Sequence, residues 1–153
     1  MEAWTLDGPV GTVTSTLFET TIDLDNTDGS PDDYVDACVT PFNTLPEATL
    51  DHLCEASVRY RNGYLSATGE RPRTFATPHD VLVLIRPWAL IVPSPENRAF
   101  PEQTVEPNVH LESGCSWDVE HGVEWLVRGE RVLYVGPCGE ADPWGTHVQG
   151  GYE

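Results

Sequence analysis

The sequence predicts an α+β domain: an antiparallel sheet of about five strands, with one main helix and one short helix on one face. Three observations carry that prediction. Residues 123–135 hold two apolar runs, VEWLV and RVLYV, around an Arg-Gly-Glu turn, which is the pattern of a tight hairpin. Residues 44–62 repeat apolar side chains at helical spacing. Residues 9–24 alternate loosely and are rich in Thr and Val, which suit a half-buried pleated surface.

Taken in order, Phe18, Thr20 and Ile22 share one parity and Val13 and Leu17 the other, predicting one or two N-terminal strands. Residues 23–36 hold six Asp and read as a solvated turn. Placing Gly29 at the sixth position of a calcium loop puts Leu24 first and Val35 twelfth, where charged ligands are required. No metal is therefore expected, and Asp25, Asp28 and Asp32 are the ligands to watch should the segment hold a cation. Thr44 and Glu47 have the spacing of a capping box, with Pro46 in the first turn. Leu50, Leu53, Cys54 and Val58 form the helix stripe, and Asn62-Gly63 is its expected stop. Residues 64–76 are expected as loop, with Arg59, Arg61, Arg71 and Arg73 pairing with acids on the surface.

Thr77, Pro78 and Asp80 are helix-start signals, favouring a short helix to Arg86 over a strand at Val81–Ile85. Trp88–Val92 then reads as a buried strand, and residues 94–108 as a Pro-rich loop. Val109–Trp117, Val123–Val127 and Arg131–Val135 complete the sheet. Residues 137–153 lack periodicity and form a tail expected to fold back through Trp144 and Cys138.

A chain of 153 residues fits a single domain, since domains run to roughly 100–200 residues. The net charge is −17, from 25 acidic and 8 basic residues, and every base is Arg. Nucleic acid and anionic membranes are not expected as partners of such a field, whereas a basic protein is. There is no signal-peptide pattern and no apolar run of membrane length, so a cytoplasmic location is expected. The four cysteines form no CxxC pair and are expected to be reduced.

The densest set of reactive side chains lies at the corner before the hairpin. Asp118, Glu120, His121 and Glu124 are interleaved with Trp117 and Trp125. A His with flanking carboxylates is the raw material of acid–base chemistry or of a metal site, but zincin spacing is absent. His110, two residues before Glu112, is the other His close in sequence. Cys54 lies within the helix stripe and Cys115 on a predicted strand, and both read as core residues rather than nucleophiles. Gly122 is expected to supply a positive φ.

The order of elements, with Trp117-Asp118-Val119-Glu120-His121-Gly122 and the closing Val135-Gly136, resembles a family of bacterial domains of unknown function. That family carries a Trp-Asp-x-Glu-His-Gly turn before a C-terminal β-hairpin, and the resemblance covers roughly residues 40–136. It implies the fold order, marks Glu120-His121 as the signature, and points to immunity or interaction roles among members. It supplies no reaction and no cofactor. The function expected first is a small acidic, non-catalytic interaction protein, of immunity type, for a basic partner. The alternatives are a small enzyme or metal protein centred on Glu120 and His121, and a small-ligand binder walled by Trp88, Trp117 and Trp125.

Overall fold

Seven strands pair in the order in which the chain lays them down. They are β1 (Trp4–Asp7), β2 (Val10–Ser15), β3 (Thr20–Asp25), β4 (Ile85–Ile91), β5 (Asn108–Cys115), β6 (Val123–Arg128) and β7 (Arg131–Gly136). Every neighbouring pair is antiparallel except β3 and β4, which run parallel. A parallel step needs a long crossover, and here it carries α1 (Asp32–Asn43), α2 (Glu47–Ala67) and a 3-10 helix (Pro78–Leu84). The computed structural model describes residues 3–71 and 74–145.

The α+β class and the mostly antiparallel sheet agree with the expectation, but there are seven strands rather than about five. The N-terminal segment supplies three of them. β1 is too short to show an alternating pattern in the sequence, because Gly8-Pro9 turns the chain after only four residues, with Gly8 at φ +73°. α1 starts where residues 23–36 are expected as a solvated turn, because the Asp-rich start of the helix has the composition of a turn. Pro41 lies in the last turn of α1, where the missing N–H costs one bond. Tyr34, Val35, Cys38, Val39 and Phe42 make its buried stripe. The turn before it is self-bonded: the Asn26 amide donates to the Ser30 carbonyl at 2.9 Å and accepts from the Ser30 N–H at 3.0 Å.

α2 starts without the expected capping box. Thr44 closes α1 instead, its hydroxyl donating to the Thr40 carbonyl at 2.8 Å. The helix also runs through Asn62-Gly63 to Ala67, because continuing it buries Leu65. It stops at Thr68-Gly69, where Gly69 takes φ +85° and the Glu70 N–H reaches the Leu65 carbonyl at 2.7 Å. Arg61 is not a surface cation: it is buried, with its guanidinium 5.3 Å from the Phe75 ring centroid. Arg73 lies outside the described residues.

The Thr77–Asp80 capping box is present. The 3-10 helix ends at Leu84, however, and Arg86-Pro87 falls inside β4. Pro87 is accommodated by a register shift between Pro87 and Ala89, a position where a sheet tolerates a residue without an N–H. The β6–β7 hairpin closes through Gly129-Glu130, with Gly129 at φ +63°.

The helices cover one face of the sheet. Val13, Leu24, Leu90, Leu111, Trp125 and Val127 from the strands join Val35, Phe42, Leu53 and Tyr60 from the helices in one core. Trp125 is anchored there by its indole N–H, which donates to Ser57 Oγ at 2.9 Å. The opposite face of β1–β3 is exposed, but the opposite face of β6 and β7 is covered by residues 137–145. The tail therefore does fold back through Trp144 and Cys138. The buried Trp144 donates from its indole to the Ser94 carbonyl at 3.0 Å, and the Cys138 thiol faces the Ser113 carbonyl. Residues 146–153 lie outside the described residues. Among the described residues no helix is long and apolar enough to cross a membrane.

Candidate functional site

Three places bring chemistry-bearing side chains together: the Trp117–Gly122 turn, the outer face of β5 and β6, and a groove at one end of the sheet.

The turn is organised by Asp118. Its carboxylate is buried and accepts from the His121 backbone N–H at 3.1 Å, so one side chain closes the corner. His121 Nδ1 lies 3.0 Å from Asp118 Oδ2, and the Tyr60 hydroxyl approaches the same oxygen at 3.3 Å. Gly122 has φ +68°, and a Cβ there would meet the Ser113 carbonyl oxygen at 2.2 Å. Trp117 is buried edge-on against Tyr60. Glu120 is exposed, and the His121 side chain is 60% exposed. A buried carboxylate thus orients an exposed imidazole. Cys115 supplies no nucleophile to it. Its thiol is buried and aimed at the Asp118 carbonyl, and burial pushes it up to about 11.

The second place is assembled by strand register rather than by neighbours in the chain. Strand alternation puts His110 and Glu112 on the outer face of β5, and the ladder sets Glu112 directly opposite Glu124 of β6. His110 Nε2 lies 2.7 Å from Glu124 Oε2. Glu124 Oε1 accepts the backbone N–H groups of Gly139 at 3.2 Å and Ala141 at 3.0 Å. Arg128, also on β6, donates to the carbonyls of Pro143 and Gly145 at 3.1 and 2.9 Å. The two charged side chains of β6 therefore fasten the tail, with Leu126 packing between them. Glu112 is only partly buried. Burial, then the charge of Glu124, raise its carboxyl above the usual range; His110 opposes them and Asp25 adds to them. The signal available in the sequence was the i, i+2 pair His110-x-Glu112 in a strand. Its partner Glu124 needs the register.

The Asp-rich segment does not converge. Asp25 accepts from the Thr27 N–H at 2.9 Å, Asp28 faces Asn97, and Asp32 lies in the first turn of α1. Among the described residues the group with the spacing of a metal site is His110, Glu112 and Glu124.

The third place is a groove of about 770 Å³ lined by Phe18, Leu82, Val83, Trp88, Cys115 and Val119, among others. Val83 is 86%, Val119 83% and Trp88 46% exposed. The Trp88 indole lies over Gly114, where a Cβ would meet Cζ2 at 2.7 Å. Of the three Trp expected to wall one pocket, only Trp88 lines this groove. Trp117 and Trp125 are buried in the core.

The sequence profile described as Domain of unknown function (DUF6985) matches residues 2–142. The chain belongs to this family. The DUF6985 match takes in β1–β3 and the tail up to residue 142, beyond the 40–136 span of the resemblance. Those strands complete the sheet, and that tail covers it, so they are parts of one structural unit. No curated protein and no solved structure matches this DUF6985 chain.

Proposed function

We propose that this domain is a small, acidic, non-catalytic interaction protein that receives apolar side chains of a basic protein partner in the groove beside Trp88. The observation that carries the reading is the groove itself: Val83, Trp88 and Val119 present apolar surface to solvent at one site. Solvent-facing apolar surface that is contiguous marks interaction sites more often than scattered single residues do. Glu19 and Glu120 stand next in the chain to the groove residues Phe18 and Val119, and the whole molecule carries −17. A basic partner is steered by that field and then held by apolar burial. An immunity-type role is one form this takes.

A catalytic role for Glu120 and His121 has less support. Asp118 is engaged within the turn, and no third metal donor joins them among the described residues.

The test pairs Val83→Asp with Val119→Asp. Both positions are exposed, so the fold should persist. The wild-type chain is used as bait at low and high salt, and captured proteins are identified. The expected partner is basic, is released by salt, and binds the double variant at least about tenfold more weakly. Equal capture by both baits, or an acidic partner, overturns the reading.

A further inference from the structure

We propose that His110, Glu112 and Glu124 form a binding site for one divalent transition cation of the zinc class on the outer face of the sheet. The three side chains offer one donor atom each, and those atoms all lie within 4.8 Å of one another. Ligand atoms around a tetrahedral zinc ion stand about 3.3 Å apart, from bond lengths near 2.0–2.1 Å. The closest pair here, His110 Nε2 and Glu124 Oε2 at 2.7 Å, opens slightly to admit the ion in place of the proton they share.

Three features separate this group from an ordinary acidic surface. Glu124 is only 2% exposed, and two backbone N–H groups from the tail hold its second oxygen. Such outer bonds orient a ligating carboxylate. His110 is buried as well, so its Nε2 is held against Glu124 rather than free to turn into solvent. Glu112 accepts no hydrogen bond from any described residue, yet it faces Glu124 directly across the ladder. Like charges opposed in this way destabilise a sheet unless a cation lies between them.

The donor chemistry sets the class. One imidazole nitrogen among carboxylate oxygens suits zinc and its neighbours, whereas calcium takes six to eight oxygens. Three protein donors leave a fourth position for water, and Glu112 is the partly exposed member, on the side from which the ion enters.

The test uses the full chain stripped with EDTA and titrated with zinc by calorimetry, with calcium in parallel. One zinc ion per chain is expected, together with a rise in Tm on loading. Glu112→Gln and His110→Asn should each weaken zinc by at least about tenfold. The Tm of metal-free Glu112→Gln shows whether that variant is folded; it should be at least that of the metal-free wild type. Several weak ions per chain that Glu112→Gln leaves unchanged, tighter calcium than zinc binding, or no binding at all, each overturns the site.

Discussion

The Tyr60 hydroxyl of α2 lies 2.9 Å from the carbonyl oxygen of Gly122 and 3.3 Å from Oδ2 of Asp118. One phenol thus fastens the longest helix to the corner that turns the chain from β5 into β6. Burial, followed by the charge of Asp118, pushes this phenol well above the ordinary tyrosine range, so it stays a donor. Tyr60→Phe removes the donor and leaves two buried acceptors without it. The expected loss is about 1–3 kcal/mol by urea unfolding. His121→Ala, at an exposed ring, should cost well under that. Equal losses from the two variants would show that the exposed imidazole holds the turn as firmly as the phenol does, contrary to this reading.

Gly122→Ala should be among the most damaging small substitutions in the chain. The left-handed backbone alone costs about 1–2 kcal/mol for an L side chain. The new Cβ would also sit 2.2 Å from the Ser113 carbonyl oxygen, which belongs to a ladder strand and cannot swing away. A drop in Tm of several degrees is expected. By contrast, Gly139 at φ +100° has open space around its Cβ position, and Ala there should cost only the backbone term. Similar Tm values for the two variants would contradict the close approach.

Glu112 gives a pH dependence with a definite sign. Its carboxyl is raised by burial, by Glu124 and by Asp25, against the opposing effect of His110. The folded chain then binds this proton more tightly than the unfolded chain does. Protonation therefore stabilises the fold at low pH, and that stability is lost as pH rises through the raised pKa. Glu112→Gln, which cannot ionise, should raise Tm at pH 7 in EDTA. The advantage should fade towards about pH 4, near the unfolded pKa. A gain that grows on acidification would mean that the carboxylate is stabilised where it lies.

The thiols should be inert in the folded chain. Burial raises all four, with Cys115 pushed up to about 11 and Cys54 and Cys138 up to about 12. At pH 8, iodoacetamide should leave the native protein unmodified while labelling the urea-unfolded chain, as read by intact mass. Rapid modification of Cys115 alone would reopen its reading as a nucleophile.

The sequence by itself determined the features that local physics decides. The Arg128-Gly129-Glu130 turn, the Thr77–Asp80 capping box and the positive φ of Gly122 each follow from a few adjacent residues, and each stands where it was expected. The period-3.6 stripe revealed α2, which buries that one face, and two apolar runs around a Gly turn revealed the β6–β7 hairpin, whose strands are buried on both faces. Local signals failed where distant packing outweighed them. Leu65 carries α2 past Asn62-Gly63, a register shift admits Pro87 into β4, and the Tyr34–Phe42 stripe makes a helix of an Asp-rich segment. Only the tertiary structure decided the sites. Asp118, Glu120 and His121 were readable as one turn because they are neighbours in the chain. The pairing of Glu112 with Glu124 depends on strand register, and a slip of one residue would send every side chain to the other face. The groove depends on Leu17–Phe18, Leu82–Trp88 and Val119 arriving at one end of the sheet. The sequence names those residues, but exposure is a property of what packs beside them.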